Sequence, residues 1–193
     1  MKGFSVYDKV ESLIDYKKVQ LISDGVKEQI EKDSVVYYNG VTIDEAVKSN
    51  KEIRDKAKEL TLRVYGDRDK ARRLYIWIGN NIDYDNDKAV KVVNAPSCVN
   101  SGAIVTYETR KGICFDYASL FTAMCKSIGL KSRVIVGEAL SGNEYVSHAW
   151  NEVYLADEKK WINVDATFYN GGDFFDSKNF NNYHKKIRIA GEF

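Results

Sequence analysis

The feature that most constrains this chain is a change of hydrophobic period at Gly129. Before it, Phe115–Ile128 has apolar residues at helical spacing, which predicts a helix that ends at the glycine. After it, Ser132–Leu140, Ser147–Leu155 and Trp161–Phe168 alternate β-branched or aromatic residues with polar ones, which predicts three strands. Because helical segments precede a run of strands joined by short turns, we predict an α+β fold, with this helix packed on an antiparallel sheet.

The sequence before this helix predicts further helices and one irregular stretch. Residues 5–32 have amphipathic spacing and predict one or two helices. The capping-box pattern at residues 42–45 predicts a single helix that runs to Gly66, and Asp67 is expected to cap the next one. Residues 83–112 show no clear period and predict an irregular connection.

We divide the chain into two parts. Residues 1–50 are expected to form an N-terminal helical extension, and residues 51–193 to form the main domain. Within the main domain the tail, residues 169–193, is rich in asparagine, glycine and aromatic residues. It predicts little regular structure beyond a strand at Ile187–Ala190.

Composition excludes several classes of function. The chain has 29 lysines and arginines against 28 acidic residues, so its net charge of +1 creates no general attraction for nucleic acid or anionic lipid. No apolar run approaches the roughly 20 residues of a membrane-spanning helix, and no signal peptide is visible. We expect neither a nucleic-acid partner nor a membrane span. A cytoplasmic and an exported location both stay open, and the oligomeric state is not indicated.

The chain has three cysteines, Cys98, Cys114 and Cys125, without a CxxC pair, and two histidines, His148 and His184. An odd number of widely spaced cysteines does not suit a disulfide framework, and the histidines do not complete a zinc-ligand pattern. We therefore predict no metal site and no cofactor. Each cysteine is then either a small buried apolar residue or a reactive thiol.

Cys114 is the best candidate for a reactive thiol. It follows Gly112 and Ile113 at the predicted start of a helix, where free backbone N–H groups and the helix dipole favour a thiolate. A thiolate at this position could act as a nucleophile, and the Cys114 N–H could face an oxyanion. The alternative interpretation is a buried, inert cysteine.

His148 and Asp165 are the candidate partners of that thiol. They lie on consecutive predicted strands, and a tight turn at residues 157–158 would place them on one face and within diagonal reach. Asp165 could then hold one imidazole nitrogen while the other faces Cys114, as in a Cys-His-Asp triad. The alternatives are a half-buried histidine satisfied by the fold and a surface acid beside a turn.

Other candidates are weaker. Residues 83–87 imitate the start of a calcium-binding loop, but Lys88 and Asn94 stand where glycine and glutamate are needed, so we expect a solvated acidic loop. Cys125 is expected in the core. His184, beside two lysines, is expected on a solvated basic tail. Trp150 and Trp161 are expected to pack on the sheet, with a place in the cleft as the alternative.

The runs GICFDYASLFTAMCKSIGLKSRVIVG, SHAWNEVYL and WINVDAT together resemble the transglutaminase-like superfamily, particularly its bacterial members, which have a papain-like core. The resemblance covers residues 55–168. In that family a cysteine opens a helix, a histidine begins an H-A-W-x-E-V strand, and an aspartate ends a W-x-x-V-D-x-T strand. The corresponding residues here are Cys114, His148 and Asp165. An aromatic or amide side chain upstream supplies an oxyanion donor in relatives, so Tyr84 could supply its hydroxyl here; packing in the core or at the rim is the alternative.

The resemblance implies a thiol-dependent acyl transfer on an amide, so residues 51–193 would be a transglutaminase-like catalytic domain. The implied substrates are protein or peptide amides, with a cell-wall peptide as one analogy. Hydrolysis is the first expectation and transglutamination the second, since the chain is short beside multidomain, calcium-dependent transglutaminases. The alternative is a non-catalytic module that keeps the fold and binds peptide or cell-wall material.

Overall fold

The computed structural model describes residues 41–94 and 99–193. Within these ranges the helices are α1 (Ile43–Ala46), α2 (Lys51–Leu60), α3 (Asp67–Asn81), α4 (Asn86–Asn94), α5 (Ala103–Thr109), α6 (Cys114–Ser127) and α7 (Phe180–Tyr183). The strands are β1 (Asp83–Tyr84), β2 (Lys111–Gly112), β3 (Ser132–Ser141), β4 (Glu144–Leu155), β5 (Lys160–Val164) and β6 (His184–Glu192), with a 3-10 turn at Tyr169–Gly171. In this part of the chain no helix is both long enough and apolar enough to cross a membrane. The helices predicted in residues 5–32, and Cys98, lie outside the described residues.

Helix α6 is the centre of the fold. Its residues 115–125 are all buried, which its nearly uninterrupted sequence of apolar and small residues allows. It packs against helices α2, α3 and α5 and against strands β3 and β4. The prediction of a buried helix on an antiparallel sheet is therefore confirmed.

The sheet has the strand order β5-β4-β3-β6, and all its pairs are antiparallel. Strands β3, β4 and β5 are the three predicted strands. β5 ends at Val164, earlier than predicted, because the next residue turns the chain: Asp165 Oδ1 accepts a hydrogen bond from Thr167 N at 2.9 Å. β6 begins at His184 and is longer than predicted, and it joins the edge of β3 with two register shifts.

The region of the first two helices differs from the prediction of one helix to Gly66. Thr42 does cap α1 by accepting from Glu45 N at 3.2 Å, but α1 ends at Ala46. Asn50 then starts a new helix, since its side chain accepts a hydrogen bond from Ile53 N at 3.0 Å. A second cap residue inside the apolar pattern therefore divides it into two helices.

The start of α3 also differs in detail. The helix begins at Asp67, but Asp67 is its first residue and not its cap. Gly66 occupies the cap position without a side chain, and Asp157 of the β4–β5 turn accepts a hydrogen bond from Asp67 N at 3.0 Å. A distant residue thus supplies the cap that the local sequence lacks.

The prediction of an irregular connection over residues 83–112 is wrong. The described part of this segment contains β1, α4, α5 and β2. β1 and β2 form a parallel pair, in which Asp83 N donates to Arg110 O at 2.8 Å and Asp85 N donates to Gly112 O at 2.9 Å. These elements are too short to show a clear hydrophobic period, and they depend on pairing between distant residues.

Gly137, in β3, lies where a neighbouring strand and a packed indole leave no room for a side chain. A Cβ atom there would lie 2.2 Å from the Lys185 carbonyl oxygen and 2.6 Å from the Trp150 ring. Gly137 pairs with His148 on β4, and two residues further on Ala139 pairs with His184 on β6. The missing side chain thus makes room for the bulky residues of both neighbouring strands.

We expect Gly137→Ala to lower the free energy of unfolding by about 2 kcal/mol, because a backbone carbonyl and a packed indole must both move. Gly171→Ala is the matched control, since a Cβ atom there meets nothing within 4 Å. Its effect should stay within about 0.5 kcal/mol. Denaturant unfolding of both variants measures the difference, and equal stabilities would contradict this account of β3.

Candidate active site

A buried carboxylate, that of Asp116, fixes the start of α6. Asp116 Oδ1 accepts from Gly102 N and Oδ2 accepts from Ile113 N, each at 2.9 Å. Lys88 Nζ lies 2.6 Å from Oδ2 and pairs with its charge. These contacts join the first turn of α6 to Ile113, which directly precedes it, and to Gly102 at the start of α5. Cys114 therefore has a defined position as the first residue of α6.

The acidic run at residues 83–87 is not the loop expected from the sequence, since its first two residues form β1 and its last two begin α4. Between them Asp85 Oδ1 accepts from Lys88 N at 2.9 Å, as a helix cap does. The Lys88 side chain turns inward and donates to Asn100 O at 2.6 Å. The lysine that breaks the calcium pattern is thus a structural residue beside the start of α6.

His148 and Asp165 meet inside the protein. His148 Nε2 lies 2.8 Å from Asp165 Oδ2, and both side chains are almost fully buried. The β4–β5 ladder pairs Asn151 with Val164, which is the register of a tight turn centred on residues 157–158. That register brings His148 diagonally across to Asp165, as expected from the sequence.

Cys114 is close enough to the same imidazole to act on its charge. Its side chain is partly exposed, and after Asp165 it is the group that helps to raise the pKa of His148. Because Nε2 is engaged by Asp165, Nδ1 is the nitrogen that remains for the thiol. The structure therefore brings the three sequence-predicted residues into one chain of contacts, from sulfur to imidazole to carboxylate.

The charges of His148 and Asp165 stabilise each other. Burial alone would lower the pKa of His148, but the Asp165 charge and hydrogen bonds to Asp165 and Cys114 outweigh it and raise this pKa to about 10. Burial alone would raise the pKa of Asp165, but the His148 charge and hydrogen bonds from two imidazoles hold it well below its usual range. The pair therefore favours an imidazolium beside a carboxylate.

His184 is a site residue that sequence reasoning missed. It was expected on a solvated basic tail, yet it is buried, and its Nε2 lies 2.8 Å from the same Asp165 Oδ2. The expectation fails because the tail folds back over the sheet and begins β6 at this residue. The frequent aromatic residues of the tail were a usable signal, because a solvated segment does not need them.

Aromatic rings enclose both histidines. Phe168 stacks on His148 with centroids 4.7 Å apart, and Phe180 stacks on His184 at 3.9 Å. Trp150 meets His184 edge-on at 5.1 Å and is itself buried, so it packs on the sheet as expected. Trp161 is partly exposed and packs under the Arg133 guanidinium. The rings exclude water from the carboxylate–imidazole contacts and so strengthen them.

Three residues in the described part of the chain have ligand atoms close enough for a metal ion: those of His148, Asp165 and His184 lie within 4.8 Å of one another. Their contacts already satisfy them, however, since Asp165 Oδ2 lies at hydrogen-bond distance from both Nε2 atoms. We therefore describe the group as a hydrogen-bond network and assign no metal to it.

Tyr84 lies near the thiol. It pairs with Gly112 across the β1–β2 ladder, two residues before Cys114, and its side chain is partly exposed. Desolvation, followed by the negative charge of Cys114, raises the pKa of Tyr84. The phenol thus keeps its proton and remains a hydrogen-bond donor beside the candidate nucleophile.

Cys125 is buried at the far end of α6, and burial raises the pKa of its thiol. This matches the expectation of a core residue. A thiol in such surroundings is a poor nucleophile.

Solved structures share this architecture. A structure named putative cysteine protease from Cytophaga hutchinsonii superposes with a TM-score of 0.54 and 22% identity, covering 88% of this chain and 48% of that chain. A structure named putative protease from Parabacteroides distasonis superposes with a TM-score of 0.53 and 15% identity, covering 82% of this chain and 31% of that chain. At these identities the likeness shows the fold, and it supports the papain-like core expected from the sequence.

Comparison of sequences finds two kinds of relatives and one family. Mouse kyphoscoliosis peptidase is 29% identical in an alignment 126 positions long, which covers 58% of this chain and 17% of that protein. Chicken peptide-N(4)-(N-acetyl-beta-glucosaminyl)asparagine amidase is 34% identical over 58 residues, which are 30% of this chain and 8% of that protein. The chain thus spans less than a fifth of these relatives. The sequence pattern of the transglutaminase-like superfamily matches residues 54–166, more than half of the chain. The chain belongs to the transglutaminase-like superfamily.

Proposed function

We propose that this chain is a cysteine hydrolase that acts on protein or peptide amides through Cys114, His148 and Asp165. The observation that supports the proposal is the chain of contacts from the partly exposed thiol to a buried carboxylate through one imidazole. A buried ion pair alone does not distinguish an enzyme from a non-catalytic module, since Lys88 and Asp116 form a structural one in this chain. What a non-catalytic module does not need is a partly exposed thiol beside the pair of His148 and Asp165.

The first half of the reaction is acylation. The Cys114 thiolate attacks the amide carbonyl carbon, a carbon–sulfur bond forms, and the carbonyl oxygen becomes an oxyanion. The Cys114 N–H, which has no partner within the helix, and the Tyr84 hydroxyl are the candidate donors to that oxyanion. His148 then gives its proton to the leaving nitrogen, the carbon–nitrogen bond breaks, and an acyl thioester remains on Cys114.

The second half is deacylation. His148, now neutral, takes a proton from water while the water oxygen attacks the thioester carbon. The carbon–sulfur bond breaks, a carboxylic acid leaves, and the thiolate and imidazolium are restored. Asp165 supports the imidazolium and fixes its orientation throughout. A primary amine in place of water would give transglutamination by the same steps.

The relatives support this substrate class through their names, which describe a peptidase and an asparagine amidase. Both names denote cleavage of a carbon–nitrogen bond in a peptide or glycopeptide. Hydrolysis of such bonds is therefore the activity to test first, with transfer to an amine as the second.

We expect Cys114→Ala to abolish release of fluorescent peptides from dye-labelled casein, because the acyl acceptor is lost. His148→Ala should cost two to four orders of magnitude, roughly, and Asp165→Ala less, since Asp165 acts through the imidazole. Cys125→Ala is the matched control and should keep the wild-type rate. Turnover that survives in Cys114→Ala would contradict the proposal. A dansylated primary amine in the same assay measures transfer.

The charge pair also predicts a pH dependence of stability. In a Cys114→Ala background the thiol no longer contributes a change of proton count at this site. His148 stays protonated in the folded protein at pH values where the unfolded chain, with a pKa near 6.5, has lost that proton. Asp165, the larger of the causes that raise this pKa, is still present without Cys114, so the folded state binds more protons and the free energy of unfolding should fall as pH rises above about 6.5.

Urea unfolding at a series of pH values measures this slope. The comparison is Cys114→Ala against Cys114→Ala/His148→Gln, which differ only in the imidazole. The slope that His148 contributes should be missing from the double variant. Equal slopes in the two proteins would show that His148 is not held as an imidazolium.

A further inference from the structure

His184 is a buried histidine that the proposed mechanism does not use. Its side chain is about 1% exposed, and both ring nitrogens lie at hydrogen-bond distance from oxygen. Nε2 is 2.8 Å from Asp165 Oδ2, and Nδ1 is 3.2 Å from the Phe180 carbonyl oxygen. The Nε2 contact is made at the same carboxylate oxygen that His148 contacts.

The two partners of His184 determine where its protons lie. A carbonyl oxygen and an ionised carboxylate can only accept hydrogen bonds. Nε2 must therefore donate a proton to Asp165, and the Phe180 contact is also satisfied when Nδ1 bears one. The surrounding rings pack closely on this imidazole and hold it in place: Phe180 stacks on it at 3.9 Å, and Trp150 and Phe174 lie edge-on at 5.1 and 5.5 Å.

Both oxygens of the Asp165 carboxylate therefore have hydrogen-bond partners. Oδ2 lies between two imidazole nitrogens, and Oδ1 accepts from Thr167 N at 2.9 Å. With His148 as its only side-chain partner, the carboxylate could rotate about its Cβ–Cγ bond and lose the imidazole. The second imidazole restricts that rotation, because turning the carboxylate would break both contacts of Oδ2.

The fold brings the two histidines to one oxygen from strands on either side of β3. His148 belongs to β4 and pairs with Gly137, while His184 opens β6 and pairs with Ala139. Gly137 has no side chain, and Ala139 has only a methyl group. The imidazoles can therefore converge on Asp165, which follows the end of β5.

We propose that His184 is a positioning residue of this site, which donates Nε2–H to Asp165 and thereby fixes the carboxylate that orients His148. The inference rests on the proposed function, because it assigns His184 a role in the same Cys114–His148–Asp165 arrangement. His184 does not touch the substrate; its effect on Cys114 passes through Asp165 and His148.

The first test uses the wild-type full chain. The protein has two histidines in all, so labelling with 15N-histidine gives ring signals for His148 and His184 alone. Long-range 1H–15N spectra at pH 7, assigned through the backbone, report which ring nitrogens are protonated. We expect a protonated Nε2 on His184. A His184 ring with protonated Nδ1 and bare Nε2 could not donate to Asp165 and would overturn the proposal.

The second test separates positioning from packing by comparing two variants. His184→Gln keeps an N–H donor near the Nε2 position, and His184→Leu keeps an apolar side chain of similar size without a donor. Partners that orient a working imidazole in metal sites typically contribute about 10- to 100-fold. At pH 6 we therefore expect iodoacetamide to alkylate Cys114 about tenfold more slowly in His184→Leu, and within about threefold of wild type in His184→Gln.

His148→Gln in the same alkylation assay distinguishes failure of the proposed catalytic arrangement from failure of the role proposed for His184. If His148→Gln leaves alkylation of Cys114 unchanged, the proposed catalytic arrangement itself fails. If His148→Gln slows alkylation but His184→Leu does not, the catalytic arrangement stands and the role of His184 is wrong. A His184→Leu chain that does not fold leaves the wild-type ring spectrum to decide.

Discussion

The hydrogen bonds of the buried Asp165 carboxylate are the interactions on which the rest of this site depends. A charge removed from water is costly unless opposite charges and hydrogen-bond donors replace the solvent. Here two imidazoles and a backbone amide do so, and they come from β4, from the start of β6 and from the turn after β5. Three separate segments of the chain are thereby tied to one point, and the His148 ring is turned toward Cys114.

A second buried carboxylate, that of Asp116, has the corresponding role for the nucleophile. Through Gly102, Ile113 and Lys88 it joins the segments that lead into α6, and so it places Cys114 at the first helical residue. One acid thus fixes the thiol and the other fixes the imidazole.

The parts of the fold that the sequence predicted are those with strong local signals. Helix α6 and strands β3 to β5 have long apolar patterns, and the tight turn near residue 157 sets the register that joins His148 to Asp165. Local patterns could not show that Asn50 starts a separate helix, or that β1 and β2 pair across some 28 residues. The aromatic residues of the tail indicated that it is not a solvated segment, but local patterns could not place His184, since its position depends on the long-range pairing of the tail with β3.

The central claim is that His148, held by Asp165, activates Cys114 and neither of the other thiols. Limiting iodoacetamide at pH 6, where an ordinary thiol is almost wholly protonated, followed by peptide mass mapping of the native chain, tests it most directly. The account predicts that Cys114 is labelled first and that His148→Gln removes this preference. Faster labelling of Cys98 or Cys125 in the native protein, or a preference for Cys114 that persists without His148, would contradict it.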